Sequence, residues 1–283
     1  MNVEEAFRYC TTLARSHYEN FPVASLLLPR AIRPHIAAVY AFARRADDFA
    51  DEPEFEGVRM EKLGQFEAEL NQLATGQPTD PVFIALKETI QKFNLPLKLF
   101  QDLLFAFKTD VTVSRYQTFE DLLHYCRHSA DPVGRIVLHI MGYPAPKFLE
   151  YSDHICTALQ LTNFWQDVSR DLEKGRVYIP ARDLSRFNYS IEELKRKEYN
   201  SNFKRLITFE VERTREMFLK GKPLCAKMPG RFGLELRLTW ITGCSILDKI
   251  QEMKGDVLHH RPALKKRDFF FLFWRALRKK DFH

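Results

Sequence analysis

The chain has 283 residues, 45% apolar and 13% aromatic, which is the length and composition of a folded globular protein with a substantial core. Its 43 lysines and arginines exceed its 37 aspartates and glutamates, and the resulting charge of +6 suits anionic ligands or membrane surfaces. No zinc-finger or RNA-binding signature is present, so we expect no nucleic-acid partner.

Apolar residues recur at intervals of three and four along most of the chain, as they do in amphipathic helices. The pattern predicts helices over residues 3–18, 39–52, 59–73, 81–93, 96–108, 118–141, 145–171, 191–220, 233–253 and 262–280. No segment alternates with the period of two typical of strands, and the one strand-like run, 177–179, is too short to build a sheet. We therefore expect one all-α domain over residues 1–283, a single-domain helical bundle with a central apolar cavity.

Cysteine usage and the amino-terminal residues bear on the cellular compartment. The five cysteines are odd in number, widely spaced and without a Cys-x-x-Cys pair, which favours reduced thiols, most of them in the core. The first ten residues lack the basic and apolar stretches of a secretory signal, and no run approaches the roughly 18 apolar residues of a membrane span. We expect a cytoplasmic protein, with peripheral attachment to the inner face of the membrane left open.

An acidic cluster lies at the end of the helix predicted through residues 39–52. Asp47 and Asp51 are four residues apart, so they project from one side of that helix, with Asp48 beside them. Arg44 lies one turn before Asp47. An isolated acidic pair of this kind is usually a solvated surface, and its interpretation depends on whether a second cluster matches it.

A second polar row lies in the helix predicted over residues 145–171. Gln160, Asn163, Asp167 and Asp171 are spaced by three, four and four residues, which places two amides and two carboxylates in one row. Their apolar neighbours predict a buried helix, where unpaired carboxylates would be strongly disfavoured. Oxygen donors of this kind suit Mg2+, which typically takes one or two carboxylates together with water and substrate phosphate. The two clusters together predict a site for a diphosphate and its metal ions.

Both clusters belong to longer motifs. AFARRADDFAD contains Arg-x-x-Asp-Asp-x-x-Asp, and LQLTNFWQDVSRDLEKGRVYIP contains Asp-x-x-x-Asp followed by Gly-Arg-x-Tyr-x-Pro. This pair resembles the motifs of the squalene and phytoene synthase family, and the resemblance runs from about residue 16 to beyond residue 253. It implies a helical fold of the isoprenoid synthase type, a prenyl diphosphate substrate, and two or three Mg2+ ions bound with the diphosphate.

Two further stretches resemble the hopanoid-pathway branch of this family: HYENFPVAS at residues 17–25 and HYCRHSADPVG at residues 124–134. That branch ionises presqualene diphosphate and lets water capture the rearranged carbocation, so NADPH is not expected. An enzyme that makes presqualene diphosphate would then be a pathway partner. The alternative within the family is a squalene synthase that condenses two farnesyl diphosphates head-to-head and reduces the product with NADPH.

The resemblance also implies roles for individual residues. The metal ligands are expected to be Asp47, Asp51, Asn163, Asp167 and Asp171. The catalytic group comprises these four aspartates with Asp48 and Tyr125. The substrate-binding group comprises Arg44, Tyr40, Gln160, Asn163, Arg176, Phe21 and His17. Aromatic faces that could stabilise the carbocation are Tyr40, Phe21, Tyr125 and Trp165, with core packing as the alternative for Trp165. The residue that positions the water stays open among His17, Glu19, His128 and Asp131.

The C-terminal segment DFFFLFWRALRKKDFH allows two interpretations. It combines six consecutive apolar residues, 269–274, with Arg275, Arg278, Lys279 and Lys280. One interpretation is a helix that lies in a membrane interface and gives the protein a peripheral membrane contact. The other is a terminal helix packed on the bundle. A non-catalytic protein on the same fold is a further alternative, but such a relative would be expected to have lost aspartates that are present here.

Overall fold

The computed structural model describes residues 1–16 and 27–282, and within them the chain forms fifteen α-helices joined by short loops. The β-type pairing among these residues is a single parallel bridge between Arg115 and Val177. The all-α prediction is therefore confirmed. The chain divides into two compact units, residues 1–112 with 132–145, and residues 113–131 with 146–283. The single-domain expectation stays a prediction.

The first unit is built around its second helix. Its helices are α1 (Val3–Ser16), α2 (Arg33–Asp51), α3 (Arg59–Gln72), α4 (Pro81–Phe93) and α5 (Leu97–Thr112), and most of α7 (Asp131–Ile140) also belongs to it. α2 packs against α1, α3, α4 and α5. Its buried face is rich in alanine, which lets these neighbours approach closely. Phe42 on α2 stacks on Phe66 of α3 at 5.0 Å and meets Phe100 of α5 edge-on.

The second unit contains three long helices that pack together. Its helices are α6 (Phe119–Ser129), α8 (Pro146–Gln166), α9 (Val168–Glu173), α10 (Ala181–Arg186), α11 (Ile191–Lys195), α12 (Ser201–Gly221), α13 (Pro223–Lys227), α14 (Gly230–Glu252) and α15 (Lys266–Leu277). α8 packs along α12, and α14 contacts both. Trp165 is fully buried here and donates its indole N–H to Thr214 at 2.8 Å, so it is a core residue.

Three predicted helices are divided in the structure. The helix predicted over residues 118–141 is interrupted at Ala130 and forms α6 and α7, and the one over 145–171 is interrupted at Asp167 between α8 and α9. The one over 191–220 becomes α11 and α12 because the Asn200 side chain accepts two backbone N–H groups and starts a new helix. The apolar period continues across the interruptions at Ala130 and Asp167, which is why periodicity alone joined those helices. The last two residues of the helix predicted over residues 3–18 lie outside the described residues.

All five cysteines are free thiols, as predicted, and four of them are buried.

The close packing of the long helices in the second unit depends on small residues. A Cβ on Gly221 of α12 would lie 2.5 Å from Ile155 Cγ1 and 2.8 Å from the Tyr151 carbonyl oxygen of α8. Gly64 of α3, by contrast, has nothing within 4 Å of such a Cβ. The two glycines therefore differ in what a methyl group would meet.

We predict that Gly221→Ala destabilises the protein by about 1–3 kcal/mol, because the α8 backbone must move to admit the methyl group. Gly64→Ala is the matched control and should raise stability by about 0.5–1 kcal/mol through its effect on backbone entropy. Urea unfolding midpoints of the two variants and the parent chain measure both effects. Equal stability of Gly221→Ala and the parent chain would contradict the packing described for α8 and α12.

Candidate active site

The first acidic cluster occupies the C-terminal end of α2. Asp47, Asp48 and Asp51 lie in or beside its last turn, which holds no basic residue. Carboxylates at this end of a helix face the negative end of the helix dipole, so the arrangement costs stability unless a cation compensates for it. Arg44 provides that compensation, since its guanidinium lies 2.6 Å from Asp48, 3.3 Å from Asp47 and 3.4 Å from Glu52.

Tyr40 and the surrounding surface belong to the same place on α2. Tyr40 lies one turn before Arg44, and burial raises the pKa of its hydroxyl while the Arg44 charge acts in the opposite direction. The cluster borders an open depression of about 530 Å3 whose lining includes Arg44, Asp48, Phe49 and Glu52. The three predicted aspartates, Arg44 and Tyr40 therefore lie within about three turns of one helix.

The second polar row crosses from α8 into α9. The Asp167 N–H donates to the Asn163 carbonyl oxygen and the Asp171 N–H donates to that of Asp167, both at 2.9 Å, so helical spacing persists across the interruption. The prediction that this row is buried is wrong. Asn163 is exposed, and Gln160, Asp167 and Asp171 are partly exposed. α8 turns its apolar side toward the core instead, which leaves the polar row hydrated.

Arg261 holds Asp167, and sequence analysis missed this residue. Its Nε donates to Asp167 Oδ1 at 2.6 Å and its Nη2 donates to Oδ2 at 3.0 Å, a two-pronged contact that raises the pKa of the guanidinium. The neighbouring residues are held together too, because the buried Gln166 side chain donates to the Pro262 carbonyl oxygen at 2.6 Å. Arg261 is 94 positions from Asp167, and no spacing rule connects residues so far apart.

The Gly-Arg-x-Tyr-x-Pro motif folds back beside the second row. Gly175 has a φ of +74°, a left-handed conformation that glycine adopts without strain. The turn returns the Arg176 N–H to the Asp171 carbonyl oxygen at 2.8 Å. The following residues then run beside residues 114–117, with the Val177 N–H donating to the Ser114 carbonyl oxygen at 2.8 Å. Glycine thus suits the position where the motif reverses direction.

Four aromatic rings cluster beside this motif. Phe164 and Tyr178 stack face to face with their centroids 3.8 Å apart and an interplanar angle of 10°. Tyr125, which is almost fully buried, lies 5.6 Å from Tyr116, 6.1 Å from Phe164 and 6.2 Å from Tyr178. A small pocket lined by Phe164, Tyr178, Asp171 and Arg176 has room for about one water molecule. The motif residues Asp171 and Arg176 therefore border an aromatic surface.

The remaining candidates divide into two groups. His128 Nδ1 bonds the His124 carbonyl oxygen of its own helix at 2.8 Å, and the buried Asp131 carboxylate accepts from the Thr157 hydroxyl at 2.8 Å. These contacts give both residues a role in holding the second unit together. The other group, His17, Glu19 and Phe21, lies outside the described residues.

The donor set suits an ion that arrives together with its ligand. Among residues 1–16 and 27–282, no group of three or more His, Cys, Asp or Glu side chains is assembled that would hold a metal ion alone. Each cluster instead offers a few carboxylate or amide oxygens, and Mg2+ commonly takes only one or two carboxylates and completes its shell with water and phosphate oxygens. The residues therefore fit a diphosphate-bound Mg2+ ion.

Comparison with known proteins identifies the family. The family model described as squalene/phytoene synthase matches residues 14–268, which span both compact units. This chain belongs to the squalene/phytoene synthase family. It is 34% identical to a hydroxysqualene synthase of Rhodopseudomonas palustris over 262 residues, covering 92% of this chain and 88% of the relative. It is also 34% identical to a 15-cis-phytoene synthase of Synechocystis sp. over 229 residues, covering 77% and 68%.

Solved structures agree with this membership of the squalene/phytoene synthase family. The squalene synthase HpnC of Alicyclobacillus acidocaldarius is 42% identical, with a TM-score of 0.85 over 89% of this chain and 95% of that one. A ligand-bound dehydrosqualene synthase, 23% identical, has the same fold, with a TM-score of 0.88 over 99% and 98%. The predicted fold of the isoprenoid synthase type is confirmed. The chain is thus an enzyme of a family that processes prenyl diphosphates and generally uses Mg2+.

In this member of the squalene/phytoene synthase family, a buried charge cluster anchors the segment after the second motif. Arg213 of α12 contacts the carboxylates of both Asp183, at 2.9 Å, and Glu210, and it lies over the Phe119 ring. Two carboxyl groups therefore lie against one guanidinium, and Glu210 is fully buried. Burial raises the pKa of Glu210 to about 8, so it keeps its proton at neutral pH.

We predict that Glu210 makes the stability of the protein fall as pH rises. Its pKa is higher in the folded chain than the ordinary 4.5, so the folded state binds the proton more tightly and loses this advantage between about pH 4.5 and 8. As the pH rises from about 4.5 to 8, the free energy of unfolding of Glu210→Gln should therefore increase by roughly 2–4 kcal/mol relative to that of the parent chain. Urea unfolding at several pH values measures this, with Glu212→Gln, an exposed neighbour, as control. Parallel pH profiles for all three proteins would rule the assignment out.

Proposed function

We propose that this enzyme is a hydroxysqualene synthase. It ionises the carbon–oxygen bond of presqualene diphosphate and directs water to the rearranged carbocation, which releases hydroxysqualene and diphosphate for squalene and hopanoid biosynthesis. The relative from Rhodopseudomonas palustris bears this name and matches 92% of the chain. The stretch at residues 124–134, which resembles the hopanoid-pathway branch, adds support. The reaction would make the enzyme a carbon–oxygen lyase.

The observation that carries this proposal is the pairing of each acidic motif with an arginine. Arg44 forms ion pairs with Asp47 and Asp48, and Arg261 forms one with Asp167. A diphosphate with Mg2+ brings a partner for both members of each pair, because its cations attract the carboxylates and its oxygens attract the guanidinium groups. Binding of the substrate would therefore exchange these partners without leaving a charge unpaired.

Each residue type has a distinct task in this mechanism. We assign the metal-binding role to Asp47, Asp51, Asn163, Asp167 and Asp171. Mg2+ bound with the diphosphate supplies Lewis-acid stabilisation of the charge that develops on the leaving group. Arg44, Arg176 and Arg261 donate hydrogen bonds to phosphate oxygens, while Asp48 orients Arg44 and Gln160 borders the diphosphate.

The carbocation that remains is attracted to aromatic faces. Tyr125, Phe164 and Tyr178 form such a surface beside Asp171 and Arg176, and each ring would stabilise a nearby cation by about 0.5–2 kcal/mol. Phe164 and Tyr178 line the same small pocket as Asp171 and Arg176, which would hold the diphosphate. The positive charge of the carbocation would therefore lie near the rings once the diphosphate has left. We place Tyr125 among the catalytic residues for this reason. NADPH has no role in this reaction.

A squalene synthase that consumes two farnesyl diphosphates and NADPH is the second candidate. It is favoured by the solved structure from Alicyclobacillus acidocaldarius, which is named a squalene synthase and is 42% identical to this chain. For either activity we propose a cytoplasmic enzyme at the inner face of the membrane. A hydroxysqualene synthase would additionally work beside an enzyme that makes presqualene diphosphate.

A product assay separates the two candidates. We expect purified protein with Mg2+ to convert presqualene diphosphate to an alcohol without NADPH, and to lose this activity in EDTA because the leaving group is no longer stabilised. Mass spectrometry of the extracted lipid identifies the product. A hydrocarbon formed from farnesyl diphosphate only in the presence of NADPH would establish the second candidate instead, and inactivity on both substrates would refute both.

We further predict that Arg261→Gln weakens the binding of inorganic pyrophosphate in the presence of Mg2+. Loss of one partly exposed guanidinium contact to phosphate should cost about three- to tenfold in affinity, measurable by titration calorimetry. Arg205→Gln, an exposed arginine on α12, serves as the control and should bind like the parent chain. If Arg261→Gln binds pyrophosphate with unchanged affinity, Arg261 contacts Asp167 but not phosphate, and the prediction is wrong.

A further inference from the structure

α15 exposes a large apolar surface. Six of its side chains, called here the C-terminal apolar face, are between 45% and 68% exposed: Phe269, Phe270, Phe271, Phe273, Trp274 and Leu277. The helix packs on its neighbour α14 through a narrow strip, Leu272 and Ala276, which lie one turn apart and are buried. Packing on the bundle, one of the two interpretations of this segment, therefore accounts for only a small part of the helix surface.

Helical geometry makes the exposed side chains continuous. Phe269, Phe273 and Leu277 repeat at intervals of four and form one row, and Phe270 and Trp274 form the adjacent row on the side away from the packed strip. An uninterrupted apolar surface of this kind is uncommon on a protein that has no partner for it. We therefore expect the C-terminal apolar face to bind a partner.

The helix is held in a fixed orientation by polar contacts. The buried Arg237 of α14 donates from Nε to the Ala276 carbonyl oxygen at 2.7 Å. At the other end of α15, Asp268 forms an ion pair with Lys249 at 3.1 Å. Trp240 meets the ring of Phe282 edge-on at 5.6 Å, beyond the end of the helix. These contacts hold Leu272 and Ala276 against the protein and direct the apolar face outward.

The charge around this helix identifies the partner. Residues 261–283 contain eight lysines and arginines and two aspartates, a net charge of +6 that equals the net charge of the whole chain, so residues 1–260 are formally neutral. Arg267, Arg275, Arg278 and Lys279 are exposed on or beside α15. Basic side chains next to an apolar face match anionic lipid headgroups above acyl chains, and each such charge strengthens binding by about fivefold.

We propose that α15 docks this enzyme on the surface of an anionic lipid bilayer. The C-terminal apolar face enters the boundary between headgroups and acyl chains, and the flanking arginines bind lipid phosphates. None of the helices that the structure describes has the length and apolar character to cross a membrane, so contact through α15 would be with one leaflet. The inference deepens the proposed function by giving a lipid-processing enzyme its surface, and it can be tested without any substrate.

Tryptophan fluorescence offers a direct readout. Trp165 and Trp240 are buried, whereas Trp274 is 56% exposed, so a change in emission on adding vesicles reports Trp274. We expect a blue shift and co-sedimentation with vesicles of phosphatidylcholine containing about one-third phosphatidylglycerol, and weaker binding in high salt. Vesicles of phosphatidylcholine alone should bind less. Absence of binding to the anionic vesicles would overturn the proposal.

Variants separate the apolar and the charged contributions. By co-sedimentation, Phe270→Ser with Trp274→Ser should reduce binding at least about tenfold, and Arg267→Gln with Arg278→Gln should reduce it by about fivefold per charge. Phe105→Ser, which removes an exposed phenylalanine of α5, is the matched control and should bind like the parent chain.

Two results would contradict docking: full binding by the Phe270/Trp274 variant, or a dimer of the parent chain that this variant abolishes in the absence of vesicles. The second result would show that another copy covers the apolar face. Because the vesicles contain no prenyl diphosphate, failure here leaves the proposed activity standing. Conversely, inactivity in the product assay leaves vesicle binding unaffected, so the two failures can be told apart.

Discussion

Carboxylates clustered where they need a cation beside them are the constraint on which the candidate site depends. α2 ends in three aspartates, at the end of a helix where the dipole already carries negative charge and where its last turn has no basic residue. Arg44, one turn earlier in α2, provides a compensating positive charge for these aspartates. In the second motif, Arg261 provides the same compensation for Asp167. Such an arrangement is a poor way to stabilise a helix but a good way to attract metal cations and diphosphate together. It favours a binding role over a structural one for both acidic motifs.

The second unit keeps its motif in place with contacts that lie outside the motif. Gln166 ties residue 262 to the end of α8 and thereby brings Arg261 to Asp167. On the other side, Arg213 holds Asp183 just after the Gly-Arg-x-Tyr-x-Pro segment. The long helices that carry these anchors approach one another closely where glycine permits it. Asp167 and Asp171 are therefore partly exposed, while Gln166 and Asp183, whose contacts anchor the neighbouring segments, are buried.

Sequence reasoning reached the helices and the motifs because both are local patterns. Periodicity predicts a helix from a few adjacent turns, and the spacing of Asp47 with Asp51 or of Asp167 with Asp171 needs only one. It failed where a contact joins distant parts of the chain. Arg261 gave no signal because its partner is 94 positions away. The burial of the second polar row was mistaken for a related reason: apolar residues surround it in sequence, but the helix directs them to the opposite side.

The distribution of charge connects the candidate site with the C-terminal helix. Residues 1–260 are formally neutral, so the arginines and lysines there are matched in number by acidic residues, and the ion pairs of Arg44 in the first motif are part of that balance. The excess positive charge lies at the C-terminus, next to an exposed row of phenylalanines. A prenyl diphosphate is itself an anionic head on an apolar chain, and so is a phospholipid. The motifs would bind such a head through exchangeable ion pairs and metal ions, so recognition there would depend on geometry. α15 instead offers unbalanced positive charge and exposed apolar area, which suit a fluid lipid surface of no fixed shape. One chemical class thus meets two kinds of binding surface on this chain, one specific and one not.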